Sequence, residues 1–243
     1  MKKVVALAAL AALAGTALAP LPALADDGLA FNVGAVSDYR YRGISQTRVK
    51  PALQGGVDYT LGSFYVGAWA SSIKWIKDAG GDAGVEIDVY GGYKGEIVKD
   101  LGYDVGVLTY QYPGNDLPTK AETTELYGAL TYGPATLKYS HAVTNTFANA
   151  DSKNSFYVDL SATFDVAGFS VVPHVGYQKI KGPFADDATY TDYSLTVSKE
   201  VVKGLTLSGA IVGTDADKTF YFSPVNGKEL GKAGVVLGAK YAF

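Results

Sequence analysis

Hydrophobic and polar residues alternate at every second position over most of the chain beyond about residue 29. In the segment 154–165, for example, Val158 and Leu160 fall on one face of an extended chain, whereas Tyr157 and Asp159 fall on the other. A period of two predicts β-strands, because successive side chains of a strand point to opposite faces. Twelve segments follow this pattern and are predicted to be strands: 29–42, 51–61, 63–73, 84–94, 101–112, 122–132, 135–145, 154–165, 168–179, 190–199, 204–214 and 232–243.

The predicted strands are long, and their connections alternate in length. Many run roughly 10–12 residues, whereas soluble strands centre near 5–6 and tilted membrane strands need about 9–11. Links after odd-numbered strands are long and polar, and most of the others are tight turns, as at 62–63, 133–134 and 166–168. Short turns at one end and long loops at the other are typical of outer-membrane barrels. The fold class predicted is therefore all-β: a transmembrane antiparallel β-barrel of about 12 strands.

A soluble β-sandwich is the structural alternative, because its strands would alternate in the same way with their apolar faces inward. Strand length and loop asymmetry favour the barrel. The segment 63–73 is apolar on both faces, so its orientation is not assigned by the pattern.

The N-terminal 25 residues have the pattern of a cleaved signal peptide. Lys2 and Lys3 form a basic start, an apolar run follows, and Ala23-Leu24-Ala25 matches an A-x-A cleavage site. We therefore predict a signal peptide over 1–25 and a single barrel domain over 26–243. An exported chain with an even number of strands would have both termini in the periplasm of a Gram-negative bacterium.

Composition narrows the range of functions. The chain has 29 glycines and 18 tyrosines but no cysteine, so disulfides and thiolate metal sites are excluded. Without Lys2 and Lys3 there are 19 basic and 24 acidic residues, a net charge of −5. This balance disfavours a nucleic-acid partner, which would favour a basic stripe. No cofactor and no metal site is predicted.

The C-terminal strand carries a second export-related pattern. In "GVVLGAKYAF", one face carries Val235, Leu237, Ala239, Tyr241 and Phe243, and Phe243 is the terminal residue. A terminal Phe with an aromatic residue two positions earlier resembles the signal read by the outer-membrane β-barrel assembly machinery. Outer-membrane lipids and this machinery are accordingly the predicted partners, together with small solutes.

The stretch "SDYRYRGISQT" (37–47) places charges and tyrosines on alternate positions at the end of the first predicted strand. Arg on the lipid face near mid-bilayer costs about 2–4 kcal/mol, so Asp38, Arg40 and Arg42 are expected to face the lumen. Tyr39 and Tyr41 are then expected to face lipid in the external aromatic girdle. The two arginines either brace the barrel by pairing with lumenal acids or contact solute.

The polar faces of the remaining strands predict the lining of a pore. Eight acids and five bases share these faces, which permits at most a slight preference for cations. Twelve strands would enclose a narrow lumen or one partly plugged by a loop, with 215–231 as the main candidate for folding inward. The pore-lining candidates, His174 included, are Asp38, Arg40, Arg42, Asp58, Glu86, Asp88, Lys94, Asp104, Lys138, Asp159, Asp165, His174, Asp192 and Lys240.

A barrel enzyme is one rival function. Ser140 and His141 are adjacent, so they point to opposite faces and cannot pair simply as nucleophile and base. His174 has Asp159 or Asp192 as a possible orienting acid, although a polar pore-lining histidine explains it as well. The loop acids Asp186-Asp187 and the pair Asp215 and Asp217 are weak Ca²⁺ candidates and are otherwise solvated loop residues.

A non-conducting barrel that binds surfaces through its loops is the other rival function.

Six motifs resemble, in this order, the TorF-type family of outer-membrane porins: "SDYRYRGISQT", "PALQGGVDY", "FYVGAWAS", "EIDVYGGY", "YQYPG" and "HVGYQ". The resemblance covers most of the chain and implies a porin-like channel for passive diffusion of small polar solutes or ions. It implies no catalytic or binding residues and leaves the solute open.

Overall fold

The computed structural model describes residues 27–243, and the predicted signal peptide 1–25 lies outside them. Fifteen strands and two short helices follow in chain order. The strands are β1 (Gly28–Val36), β2 (Arg40–Tyr41), β3 (Ile44–Ser45), β4 (Ala52–Leu61), β5 (Phe64–Ser72), β6 (Val85–Val98), β7 (Leu101–Gln111), β8 (Thr123–Tyr132), β9 (Ala135–Ala142), β10 (Phe156–Ala162), β11 (Phe164–Val166), β12 (Phe169–Lys179), β13 (Tyr190–Val202), β14 (Leu205–Thr214) and β15 (Gly234–Ala242). The helices are α1 (Trp75–Asp78) and α2 (Ala185–Ala188).

The long strands form a closed antiparallel barrel. Each pairs with its neighbour along the chain, and the first and last strands, β1 and β15, pair with each other. β10 and β11 both pair with β12, so together they form one wall strand, and the barrel has twelve strands as predicted. Backbone hydrogen bonds of 2.9 and 3.0 Å between Phe31 and Phe243 extend the closing seam to the chain end.

The two faces of the wall differ in exposure as the alternation predicts. On β10, Leu160 is 48% exposed, whereas the neighbouring Asp159 is 4% exposed. On β5, which the pattern left unassigned, Tyr65 is buried and Phe64 and Val66 are exposed. An outer surface of exposed Leu, Val, Ile, Phe and Tyr around a polar interior is the arrangement of a lipid-embedded barrel.

The loops gather at one end of the barrel. The tight turns define the short-turn end, and the longer connections define the long-loop end; both names are used below. Both helices lie in long-loop connections. Over residues 27–243, no helix has the length and apolar character needed to cross a bilayer.

The first strand is shorter than predicted, because β1 ends at Val36 rather than at residue 42. Residues 37–51, here called the inward segment, turn into the lumen and form the β2–β3 hairpin. The two residues at its tip, Arg42 and Gly43, have φ angles of 45° and 79°. Two successive positive φ values define a type I′ turn, which joins antiparallel strands with the least distortion.

The predicted lipid-facing position of Tyr39 and Tyr41 is therefore wrong. They are only 3% and 8% exposed, and both belong to the hydrophobic cluster inside the barrel. Of residues 37–42, only Arg40 and Tyr41 are in a strand. Because the segment leaves the wall, both of its faces meet protein, so rings and charges are buried together.

Other long loops pack over the inward segment and complete this cluster. Ile73 and Ile76 from the α1 loop, and Leu117 from the β7–β8 loop, are at most 6% exposed. Phe147 from the β9–β10 loop packs against the same group. The hydrophobic core thus lies at the long-loop end of the lumen.

The loop 215–231 is not the main inserted element. It packs against the inward segment, where Leu230 forms a hydrophobic cluster with Ile44 and Tyr190. Within it, 218–223 forms no strand; its one bridge joins Phe222 to Glu229.

Candidate functional site: the barrel lumen

Arg40 ties the inward segment to itself and to the last long loop. Its guanidinium lies 2.5 Å from the carboxylate of Asp38 and donates to the carbonyl oxygens of Gly43 and Leu230 at 3.0 and 2.8 Å. Asp38 accepts a second hydrogen bond from Ser45 at 2.5 Å. A buried Arg–Asp pair with further hydrogen bonds braces the hairpin.

Arg42 connects the hairpin tip to the barrel wall. Its guanidinium donates to Glu125 on β8 at 2.7 Å and to Gln178 on β12 at 2.5 Å. It also lies over the ring of Tyr157 on β10, 4.2 Å from the centroid. These contacts reach three different wall strands, so Arg42 holds the tip across the lumen.

The tyrosines of the inward segment make contacts with other wall strands. The Tyr39 hydroxyl donates to Glu86 on β6 at 2.5 Å, and the Tyr41 hydroxyl donates to Tyr110 on β7 at 2.7 Å. Tyr110 in turn donates to Glu125 at 3.3 Å. Two hydrogen-bonded groups therefore hold the inward segment against the wall: Tyr39 bonds to β6, and Tyr41 bonds through Tyr110 to β7 and β8.

The half of the lumen toward the short-turn end is lined by tyrosine–carboxylate pairs. Tyr90 donates to Asp58 at 2.6 Å, and Tyr65 donates to Asp104 at 2.7 Å. Tyr65 also hydrogen-bonds to Tyr127. Asp58, Tyr90 and Tyr127 are half-buried, whereas Tyr65 and Asp104 are buried, so the accessible part of this half lies around Asp58 and Tyr90.

Basic residues complete this wall. The ammonium group of Lys138 lies 4.1 Å from the ring centroid of Tyr127, and that of Lys94 lies 5.8 Å from the ring centroid of Tyr65. Lys240 on β15 is half-buried. Acids and bases are thus interspersed rather than separated, giving a lumen of mixed charge.

His174 lies in a polar group on the wall formed by β10, β12 and β13. Its ring nitrogens are 3.8 Å from Asp159 and 3.5 Å from Asp192. The Tyr157 hydroxyl donates to Asp192 at 2.9 Å and is 3.2 Å from His174 Nε2. His141, the other histidine, contacts Tyr139 and Asn154 instead.

The remaining predicted lining residues occupy different environments. Glu86 and Asp88 are each 1% exposed, and both carboxylate oxygens of Asp88 lack a protein partner. Asp165 is exposed at the short-turn end, where it accepts a hydrogen bond from the Gly168 N–H at 3.3 Å.

Several lumen residues were missed by the sequence analysis. Glu125 is 1% exposed and holds Arg42, although its strand alternates with Leu126 and Leu130, which are about half exposed. The alternation of Glu125 with these outward-facing leucines is the sequence signal that could have predicted its position in the lumen. Gln178 carries no charge, and nothing in its sequence context marks it as a partner of Arg42.

The acidic loop residues have local structural roles. Asp217 accepts hydrogen bonds from Thr219 and Phe220, which lower the pKa of its carboxyl. Asp215 accepts from the Thr191 N–H at 2.6 Å. Between residues 27 and 243, no group of three or more His, Cys, Asp or Glu side chains is arranged to hold a metal ion.

The C-terminal aromatic residues face outward. Tyr241 and Phe243 are 46% and 68% exposed and stack on each other with a centroid distance of 5.8 Å. Phe243 also stacks on Phe31 of β1 at 5.9 Å. This outward cluster lies directly on the closing seam.

Solved porin structures have a similar closed barrel fold. Two solved KdgM porin structures share it: one has a TM-score of 0.55 and 7% identity over 88% of this chain and 99% of that one. The other, in complex with disordered oligogalacturonate, has a TM-score of 0.53 and 6% identity over 88% and 98% of the two chains.

No curated protein matches the sequence. Residues 23–243 match the model of a bacterial protein family of unknown function, Gcw_chp, and the chain belongs to that family.

Proposed function

We propose that this protein is an outer-membrane channel for passive diffusion of small polar solutes or ions. The observation that carries the proposal is the closed barrel whose apolar side chains face outward while Asp, Glu, Lys, Arg and Tyr line the inside. Lipid would cover the first surface, and only water and polar solutes suit the second. The shared fold with KdgM porins supports the same conclusion.

The inward segment would make this channel narrow. Its hairpin occupies the long-loop end, and Arg42 spans from it to Glu125 and Gln178. A segment held at several points constricts the lumen without needing to seal it. Solutes would pass the accessible wall around Asp58 and Tyr90.

The direction of insertion is part of the proposal. Loops that are longer than the turns at the other end are expected outside the cell, which would leave both termini in the periplasm. The exposed Tyr241 and Phe243 would then be available to the assembly machinery during insertion. The resemblance to TorF-type porins, like this orientation, stays a prediction.

Planar-bilayer recording with protein purified from outer membranes tests the channel. Discrete conductance steps in KCl are expected, and a salt gradient would give a reversal potential that reports the lumen charge. A folded, heat-modifiable barrel that inserts without conductance would contradict the proposal. It would favour the alternative of a non-conducting barrel that binds surfaces through its loops.

Enzyme activity is the less supported alternative. Ser140 is buried inside, whereas His141 contacts Tyr139, which is 45% exposed on the outer face. His174 has nearby carboxylates, and its hydroxyl neighbour is the weakly nucleophilic Tyr157. These contacts favour a structural role for both histidines.

A further inference from the structure

A cavity of about 400 Å³ lies among the loops at the long-loop end of the barrel. The inward segment and all five other long connections contribute to its wall, which includes Tyr41, Trp75, Tyr112, Phe147, Ile180 and Phe222. An apolar cavity of about 150 Å³ is large enough to bind benzene. The volume here therefore suits a small molecule of one or two rings.

The cavity wall is built from aromatic rings that hold one another in place. Trp75 packs edge-to-face on Tyr112, with ring centroids 5.2 Å apart, and Tyr41 packs in the same way on Phe147 at 5.3 Å. Further edge-to-face contacts join Tyr190, Phe220 and Tyr221. Edge-to-face packing is a favoured arrangement of aromatic rings, so these contacts keep the apolar surfaces of the cavity wall in fixed positions.

Hydrogen bonds between the loops fix the shape of the cavity. Arg48 of the inward segment lies 2.6 Å from the carboxylate of Asp78, and its carbonyl oxygen accepts from the side chain of Asn226 at 3.0 Å. The Tyr221 hydroxyl donates to the carbonyl oxygen of Ala188 at 2.8 Å. A ligand would enter a site that is already formed, and little conformational entropy would be lost on binding.

Most polar side chains of the cavity wall are already hydrogen-bonded within the protein. The Ser45 hydroxyl donates to Asp38, and the Gln178 side chain accepts from Arg42, both at 2.5 Å. A strongly polar ligand would give up hydrogen bonds to water here and gain few in return, which is costly. The cavity wall therefore favours an apolar ligand.

The charges of the cavity wall do not favour an ionic ligand. Among residues 27–243, Asp78 is the only charged residue that lines the cavity, and Arg48 pairs with it. An anion would find no cationic partner in the lining, and a cation would compete with Arg48 for a carboxylate that is already neutralised. A neutral ligand fits these surroundings best.

Exposed aromatic residues lie where the cavity meets solvent. Phe222 lines the cavity and is 45% exposed. Phe184, which is 48% exposed, lies beside it in the fold, with its ring centroid 6.0 Å from that of Phe220, another lining residue. Neighbouring apolar side chains that are left exposed often mark a binding surface. These rings would give an apolar molecule its first contacts on the way into the cavity.

We infer that this cavity binds a neutral, apolar compound of one or two rings. The compound would pack its faces and C–H edges on the fixed rings of the cavity wall, and the hydrophobic effect would drive its transfer from water. This binding activity goes beyond the proposed channel, because passive diffusion of polar solutes needs no apolar site. It does not depend on whether the barrel conducts.

The chain's two tryptophans allow a direct test. The protein is placed in lipid nanodiscs, because detergent would compete for an apolar site, and empty nanodiscs give the background of partitioning into lipid. In Trp69→Phe, the remaining emission comes from Trp75 in the cavity wall and should change on titration with toluene or tetralin. In Trp75→Phe, emission from Trp69, which packs against Tyr39, should stay unchanged.

Calorimetry with matched ligands tests the chemistry of the site. Toluene binding should have a negative heat-capacity change, which is the mark of apolar surface buried on binding. Benzoate and benzylammonium carry the same ring with a charge. Both should bind at least about ten-fold more weakly than toluene, because a charge would lose its hydration without finding a partner.

Two substitutions change the cavity in different ways. Phe222→Ala removes a ring from the cavity wall and should weaken toluene binding roughly three- to ten-fold, the size of one lost aromatic contact. Ala148→Leu adds atoms to the lining and should weaken binding of the larger tetralin more than that of toluene. Phe184→Ala is the matched control, because Phe184 is about as exposed as Phe222 but does not line the cavity. Heat-modifiable migration on gels checks that each variant is folded.

Three results would overturn the inference: no response of Trp75 to toluene or tetralin, a charged analogue that binds as tightly as toluene, or wild-type affinity for both ligands in Phe222→Ala and Ala148→Leu. Binding is measured without conductance, so the two proposals are tested separately. A conducting barrel that binds neither toluene nor tetralin contradicts only the apolar site, and a barrel that binds them without conducting contradicts only the channel.

Discussion

The guanidinium of Arg42, at the tip of a hairpin inside the barrel, lies 2.7 Å from the carboxylate of Glu125 on the wall. Both side chains are almost completely buried, at 5% and 2% exposure. A positive φ angle at Arg42 is unfavourable for a residue other than glycine, by about 1–2 kcal/mol. The charge pair holds the tip against the wall despite this cost.

Removing the positive charge of this pair should release the hairpin. Arg42→Met leaves Glu125 buried without a counter-charge, which typically costs about 3–5 kcal/mol. We expect lower stability in urea unfolding followed by tryptophan fluorescence, and a larger single-channel conductance. Lys50→Met removes one exposed charge from the same segment and is the control. Equal conductance in all three proteins would show that the hairpin does not constrict the channel.

Gly43→Ala tests the hairpin independently of charge. Gly43 has a φ of 79°, and an added Cβ would overlap Thr214 and Asp192 on the wall. Overpacking of this kind costs about 1–3 kcal/mol. Gly62→Ala is the matched control, because Gly62 also has a positive φ, of 57°, but open space around it. Chemical unfolding should show a clearly larger loss for Gly43→Ala, and similar losses would contradict the packing described.

A charge on the outer face should oppose membrane insertion. Leu195 lies near the middle of β13 and is 44% exposed on the apolar surface. Leu195→Arg should reduce stability in liposomes by about 2–4 kcal/mol, the cost of Arg near the bilayer midplane. Leu195→Ala controls for loss of the leucine and should cost much less, because lipid replaces its contacts. If the two substitutions had the same effect, this face would not contact lipid.

Asp58 should influence ion selectivity. It is half-buried on the accessible wall and accepts a hydrogen bond from Tyr90, which Asn can also accept. Because charges that line a pore set its ion preference, Asp58→Asn should move the reversal potential in a KCl gradient toward anions. Asp165→Asn, at the exposed turn, should leave it nearly unchanged. A reversal potential that does not respond to Asp58→Asn would place conduction elsewhere.

Much of the barrel was predictable from local pattern. Leu160 and Asp159 fall on opposite faces because strand side chains alternate, and this holds whatever the strand packs against. Strand length and loop asymmetry then distinguished a closed membrane barrel from a soluble sandwich. The same alternation failed for Tyr39 and Tyr41, since it describes which residues share a face and not what that face meets.

The sequence by itself therefore determined the number of wall strands, the pairing of neighbours and the faces of most strands, because these depend on residues close together along the chain. Only the tertiary structure decided that residues 37–51 enter the lumen and that Arg42 meets Glu125 and Gln178. These partners are 83 and 136 residues away from Arg42 in the chain. Barrel closure brings them together, and burial in the lumen makes the pairing strong. No local pattern carries that information, because an extended "DYRYR" segment suits a lipid-facing strand and a lumenal hairpin equally well.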